Sequence, residues 1–348
     1  MWLASIAVTD RWQLAQFIYW FNPALPVAAV LLAVAGWALR PGAWRRPSSA
    51  VLAAAGLACC LMLAREFGLI RVLTHLGAPT PPASAIRVVH WNLSVFDVPK
   101  RLDIGDALSV QGLPDIVLIS MQNNRALWDQ LARGVQGATR DQVHFINAGD
   151  EKVFSRYPVT TTETFRIPFR GKGDQPPVPP TLVRRCFSGL FRLLHLHNRS
   201  TTTIEDATIV GLTFDTGAQL GRPLRVWFID MPSNPLASKA ELVARVTAHA
   251  AGLRAAGKLP EPDLIVGDFN IPLGSESLRA YAPGYTPASD AAGLGRLASW
   301  PRTSPALQLD HMLVRPGWRA GSYTLTDPGA SEHMAQTALL WPADAPKK

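Results

Sequence analysis

Leu264-Ile265-Val266-Gly267-Asp268-Phe269-Asn270 is an apolar run that stops abruptly at a polar triplet, and further on the chain reads Leu309-Asp310-His311-Met312-Leu313-Val314. The first run has the length and composition of a buried strand. An Asp and an Asn two residues apart at its end put oxygen ligands for a hard cation, or polar contacts for a phosphate, on one side. Gly, Asp and Asn are also turn formers, so the triplet by itself reads equally well as a plain turn. The surrounding segments decide between the two.

Working outward, Ile86 to Val89, Asp115 to Ser120, Val143 to Asn147, Thr208 to Phe214, Leu224 to Ile229, Asp310 to Val314 and Thr337 to Trp341 have the same strand-like composition. Leu236 to Leu253 carries apolar residues at helical spacing and leads into the Leu264 strand. Short strands alternating with helices and loops predict one α/β domain over residues 85–348. A 348-residue chain with 48% hydrophobic residues can bury a large core.

The beginning of the chain reads differently. Residues 12–39 and 48–70 are rich in Ala, Leu and Val, and each contains a charge-free stretch near the length that crosses a bilayer. The loop between them, 40–47, carries Arg40, Arg45 and Arg46, which the positive-inside rule keeps in the cytoplasm. Residues 1–76 are therefore expected to form a transmembrane hairpin, followed by a Pro-rich, stiff linker over 77–84. The expected location is the inner membrane, multi-pass, with the C-terminal domain on the extracytoplasmic, periplasmic side. A pair of buried helices in a soluble protein is the alternative, favoured by Asn22-Pro23 and Arg65-Glu66. The stretches are too long, and too poor in a nearby cleavage site, for a signal peptide.

Of the three cysteines, Cys59 and Cys60 are adjacent in the second apolar stretch, which leaves Cys186 alone and excludes a disulfide framework in the α/β domain. The net charge of +8 suits a phosphate-rich substrate or an anionic membrane surface.

Taken in order, Ile86-Arg-Val-Val-His-Trp-Asn92, Pro114-Asp-Ile-Val-Leu-Ile, Lys152-Val-Phe-Ser-Arg-Tyr-Pro-Val159, Leu224-Arg-Val-Trp-Phe-Ile, Gly267-Asp-Phe-Asn270, Leu309-Asp-His311 and Ser331-Glu-His333 resemble the motifs of the endonuclease/exonuclease/phosphatase superfamily. The hairpin ahead of them resembles a membrane-anchored bacterial branch. The resemblance implies the DNase I-like fold, a four-layer α/β/β/α sandwich of two mixed sheets flanked by helices, with a site at its open end. It implies in-line attack of water on a phosphoester, assisted by a divalent metal, Mg2+ or Mn2+. His333 matches the family's general base or phosphate-contacting histidine, and Asp310 the carboxylate that orients it. Asp268 and Asn270 match the pair that activates the nucleophile and holds a phosphate oxygen, and Asn92 the amide that contacts metal or phosphate. A carboxylate on one ring N–H fixes the tautomer of a histidine and favours its charged form.

Three departures bear on the metal. Where the family ends its second strand with Gln-Glu, this chain has Ser120-Met121-Gln122, with Met121 at the Glu position. Gln122 would reach the site only through a bulge and binds Mg2+ more weakly than a carboxylate. Asp230 stands where a phosphate-contacting His is usual, and Glu332 replaces the Asp beside the last His. The expected metal ligands are Asn92, Gln122, Glu332 and Asp268, with Asp230 among the catalytic residues. Two functions follow. One is a membrane-anchored phosphodiesterase or phosphatase with a rearranged metal site. The other is a catalytically degenerate domain of the same fold, serving as an extracytoplasmic binding or scaffold module.

A basic insertion carries Arg166, Arg170, Lys172, Arg184, Arg185, Arg192, His195, His197 and Arg199, and Thr181 to His197 can form an amphipathic helix. Two histidines without a clustered carboxylate or Cys are a poor zinc signature. The expected partners are a phosphoester substrate, with a lipid headgroup preferred, and the membrane. No dense basic stripe with interleaved aromatics lies outside the insertion, so nucleic acid is the weaker expectation.

Overall fold

The computed structural model describes residues 80–93, 113–121, 143–169, 206–234, 237–293, 297–303, 305–329 and 331–345, together with Asp10, Gly56, Leu57 and Cys60. In chain order the strands are β1 (Ile86–Leu93), β2 (Ile116–Met121), β3 (His144–Ala148), β4 (Glu151–Ser155), β5 (Val159–Ile167), β6 (Ala207–Phe214), β7 (Leu224–Asp230), β8 (Leu264–Asp268), β9 (Thr286–Pro287), β10 (Asp310–Val314), β11 (Trp318–Thr326) and β12 (Ala335–Pro342). The helices are α1 (Gly217–Leu220), α2 (Lys239–Ala255), α3 (Glu276–Tyr281) and α4 (Ala288–Ala292). One sheet has the order β11-β12-β1-β2-β4-β3 and the other β5-β6-β7-β8-β10-β9. Each is mixed, with one parallel pair, β1 with β2 and β7 with β8, in an otherwise antiparallel ladder.

Side chains alternate across each strand, and the apolar set facing the other sheet forms the shared core: Val88 of β1, Leu118 of β2, Val153 of β4, Phe228 of β7, Val266 of β8, Met312 of β10 and Ala338 of β12. Leu264 and Val266 are fully buried, and burial of each such side chain contributes about 1.5–3 kcal/mol. The opposite faces of β7, β8 and β10 place Trp227, Ile229, Ile265 and Leu313 against Leu242, Val243 and Val246 of α2. Towards one end of the sandwich the inward positions turn polar. One step of the alternation beyond the core residues stand His90, Ser120, Glu151, Asp230, Asp268, Asp310 and Gln336, and Asn92 lies one step further along β1.

All eight strands legible in the sequence are present. β4, β5, β9 and β11 were not legible, and β9 is only two residues long. Most of β5 is exposed at a sheet edge, so it lacks apolar alternation. β4 is fully buried although it opens with Glu151 and Lys152. β11 is broken by a register shift between Gly321 and Thr324. The main helix begins at Lys239 rather than Leu236 because Ser238 caps it, accepting from the Glu241 N–H at 3.4 Å in a Ser-x-x-Glu arrangement.

The Ala85 N–H closes a turn onto the Pro82 carbonyl at 2.9 Å. Arg166 belongs to β5, opposite Thr208, and lies 3.6 Å from Asp150, so the insertion starts after the strand. The rest of the insertion, Gln122 and the two apolar stretches lie outside the described residues, apart from Gly56, Leu57 and Cys60, which are helical. Among the described residues no helix is long and apolar enough to cross a membrane.

Candidate active site

The site begins with the close approach of β7 and β8. At Gly267, φ is 149°, and a Cβ there would fall 1.8 Å from the Ile229 carbonyl oxygen, so only glycine lets the two strands pair at this point. The next residue, Asp268, lies opposite Asp230 on β7 and opposite Asp310 on β10. The chain then turns at Asn270, which takes a left-handed φ of 49°. Asn tolerates that conformation. The Asn270 N–H donates to Asp268 Oδ1 at 2.8 Å, and its side-chain amide donates to the Met231 carbonyl at 2.9 Å. The polar triplet is thus both a turn and a site, because the turn wraps the carboxylate it presents.

His333 enters from the loop before β12 and is held by both sheets. Its Nδ1–H donates to Asp310 Oδ2 at 2.9 Å, and the same oxygen accepts from the Ser299 hydroxyl at 2.6 Å. The Trp91 indole donates to the His333 carbonyl at 3.1 Å. Ser331 accepts from the His333 N–H at 3.0 Å and donates to the Asn92 carbonyl at 2.5 Å. Asn92 in turn donates its amide to Asp268 Oδ2 at 2.8 Å. That leaves His333 Nε2 facing Asp268 Oδ2 across 3.9 Å.

Charge and burial oppose each other here. Burial works against the imidazolium of His333, but Asp310 and Asp268 beside it prevail and lift its pKa to about 9. Burial alone would raise Asp310, and the His333 cation holds it below its ordinary value. Burial, with the Asp310 charge adding to it, pushes Asp268 up to about 6. Two further histidines support the site in neutral form, both lowered to about 4 by burial. Gln336 donates to His90 Nδ1 at 2.9 Å, and His311 bonds the Ile271 carbonyl at 2.7 Å.

Of the residues singled out in the sequence, Asn92, Asp268, Asp310 and His333 converge, and Asp230 lies beside Asp268 in the ladder. Asn270 adjoins them but commits its amide N–H to a backbone carbonyl. Glu332 is exposed, with its own carbonyl accepting from the Arg302 N–H at 2.7 Å, and its charge is among those that raise the His333 pKa. Met121 pairs with Leu93 in the β1–β2 ladder.

Ser299, Ser331, Trp91, Glu151 and Lys239 were not found from the sequence. Ser331 had a signal, two residues before the histidine whose N–H it accepts. Ser299 had none, because only the folded chain brings it to Asp310. Lys239 is a buried amine whose pKa falls to about 7 through burial, with the Asp268 charge opposing.

The donor set suits a hard divalent cation. Ligand atoms of Asp268, Asp310 and His333 lie within 4.8 Å of one another. Asp310 Oδ1 is buried without a hydrogen-bond partner, an atom whose desolvation a cation would compensate.

A model of the Endonuclease/Exonuclease/phosphatase family matches residues 89–333. No curated protein matches the chain. Among solved structures, an endonuclease/exonuclease/phosphatase family protein from Bacteroides thetaiotaomicron is similar at 14% identity, over 76% of this chain and 99% of that one, with a TM-score of 0.47. A second, from Bacteroides vulgatus, is similar at 14% identity over 74% and 99%, with a TM-score of 0.47. TDP2 from C. elegans is similar at 15% identity over 79% and 80%, with a TM-score of 0.46.

Proposed function

The chain belongs to the endonuclease/exonuclease/phosphatase family, and on that footing we propose that it is a divalent-metal-dependent phosphoesterase, cleaving its ester by in-line attack of water. The observation that carries this is the buried Asp310–His333 pair at 2.9 Å facing Asp268 at 3.9 Å. A binding module has no physical need for three buried ionisable groups at one open end. Asp268, its pKa raised to about 6, is placed to accept the proton of the attacking water near neutral pH. His333, held charged by Asp310, contacts a phosphoryl oxygen through Nε2 and stabilises the charge that develops there. Asn92 and Asn270 fix the Asp268 carboxylate, and oxygens of Asp310 and Asn92 would hold the metal. Mg2+ or Mn2+ supplies charge stabilisation on the phosphoester when bound.

The degenerate binding module remains the second reading, favoured by one observation: the inward position of β2 at the level of Asn92 is Ser120, with no carboxylate. Hydrolysis of an aryl phosphodiester and monoester by the full chain, with Mg2+, Mn2+ or Ca2+ and with chelator, separates the two. Metal-dependent turnover that Asp268→Asn removes supports the enzyme. Its absence from folded protein with every metal supports the module.

Membrane attachment through residues 12–39 and 48–70, with the domain outside the cytoplasm, is part of the same proposal. Asp10 supports it. This residue precedes the first apolar stretch, and its Oδ1 accepts from the Ser277 N–H at 3.1 Å, at the start of α3. A hairpin requires its two flanks to lie on one side. A domain tethered in this way favours the phosphoester of a lipid headgroup over nucleic acid.

A further inference from the structure

We propose that Glu151 on β4 is the acidic ligand of the divalent cation, taking over from the neighbouring strand the part that β2 cannot play in this chain. The inference rests on the metal-dependent reading above and concerns which carboxylate serves it. β4 runs antiparallel to β2, so its first residue lies at the end of the sandwich where β2 finishes. The ladder pairs Ser120 with Glu151, and Asn92 pairs with Ser120 on the other side. These three residues form a row on one face of the sheet. Val153, two residues from Glu151 on β4, belongs to the core between the sheets, so Glu151 points into the space that Asp268 enters from the opposite sheet.

Glu151 is 1% exposed, and its Oε2 has no hydrogen-bond partner. A carboxyl oxygen buried without a partner costs about 1–3 kcal/mol, more when ionised, which a purely structural residue at this position would avoid. The adjacent Lys152 belongs to the other face of the strand and donates to Asn147 Oδ1 and the Gly149 carbonyl. A cation bound at this row would compensate the unpartnered oxygen.

The test measures Mn2+ binding to the purified full chain by electron paramagnetic resonance and titration calorimetry. It compares the parent, Glu151→Gln and the double variant Glu151→Gln/Ser120→Glu, with circular dichroism as a check on folding. Glu151→Gln keeps the side-chain volume and is expected to weaken Mn2+ at least about tenfold. The double variant, which returns a carboxylate to the paired position on β2, is expected to recover most of that loss. If the parent binds and Glu151→Gln binds equally well, the Glu151 assignment fails and the metal-dependent reading stands. If the folded parent binds no Mn2+, both fail. If Glu151→Gln does not fold, the comparison passes to Glu151→Asp, and unchanged binding there together with unchanged binding in Ser120→Glu overturns the proposal.

Discussion

His333 Nε2 and Asp268 Oδ2 face each other across 3.9 Å, a gap too long for a direct hydrogen bond. Each is fixed from behind, His333 by Asp310 at 2.9 Å and Asp268 by Asn92 at 2.8 Å. A phosphoryl or water oxygen entering the gap would meet a donor and an acceptor already oriented.

Removing either side of that gap is expected to lower turnover by about 10²–10⁴. Asp268→Asn and His333→Ala should both show it in steady-state hydrolysis while melting as folded proteins. Parent-like turnover in either would remove the residue from the catalytic assignment.

The pH profile should have two limbs. Activity is expected to rise as Asp268 ionises and to fall as His333 loses its proton, with the bound cation setting both limbs below the metal-free values of about 6 and about 9. Asp310→Asn removes the charge that holds His333 protonated, so its alkaline limb should move to lower pH. The same group affects stability. Its folded pKa is raised above the ordinary 6.5, so the stabilisation is fully present below 6.5 and is lost as pH rises through about 9. Denaturant midpoints at pH 6, 8 and 10 would record the loss, and it should be smaller in His333→Ala.

Backbone at the end of β8 should tolerate little change. Gly267→Ala forces a Cβ onto the Ile229 carbonyl and is expected to cost roughly 3–5 kcal/mol. Asn270→Ala loses its bond to Met231 and keeps a left-handed φ, at about 1–3 kcal/mol. Asn270→Gly should recover the backbone part alone. Urea unfolding monitored by tryptophan fluorescence ranks the three.

A reporter fused after Lys348 should be active only in a form that works outside the cytoplasm. Activity of a cytoplasmic reporter at that position would overturn the hairpin orientation.

The parts of the site legible in the sequence are those where chemistry and strand pattern coincide. Asp268 closes one strand and Asp310 opens another, so the alternation that marks each strand also places its carboxylate. Glu151 follows the same rule, but its strand opens with two charged residues and is too short for the pattern to show. Ser299 and Trp91 act on Asp310 and His333 across separations of 11 and 242 residues, which local sequence cannot reveal. Gln122 and Glu332 were expected at the metal from the order of motifs. Gln122 lies outside the described residues, and the side chain of Glu332 is exposed beside His333.

β12 lies between β11 and β1, so the last strand of the fold completes the sheet that the first one starts. His333 stands two residues before it. During synthesis, Asp268, Asp310 and Asn92 have all emerged while the first sheet still lacks an inner strand and the histidine has no support from Trp91. The converging set is therefore completed last, and a chain interrupted between Val314 and His333 carries both carboxylates without the imidazole that bridges the two sheets.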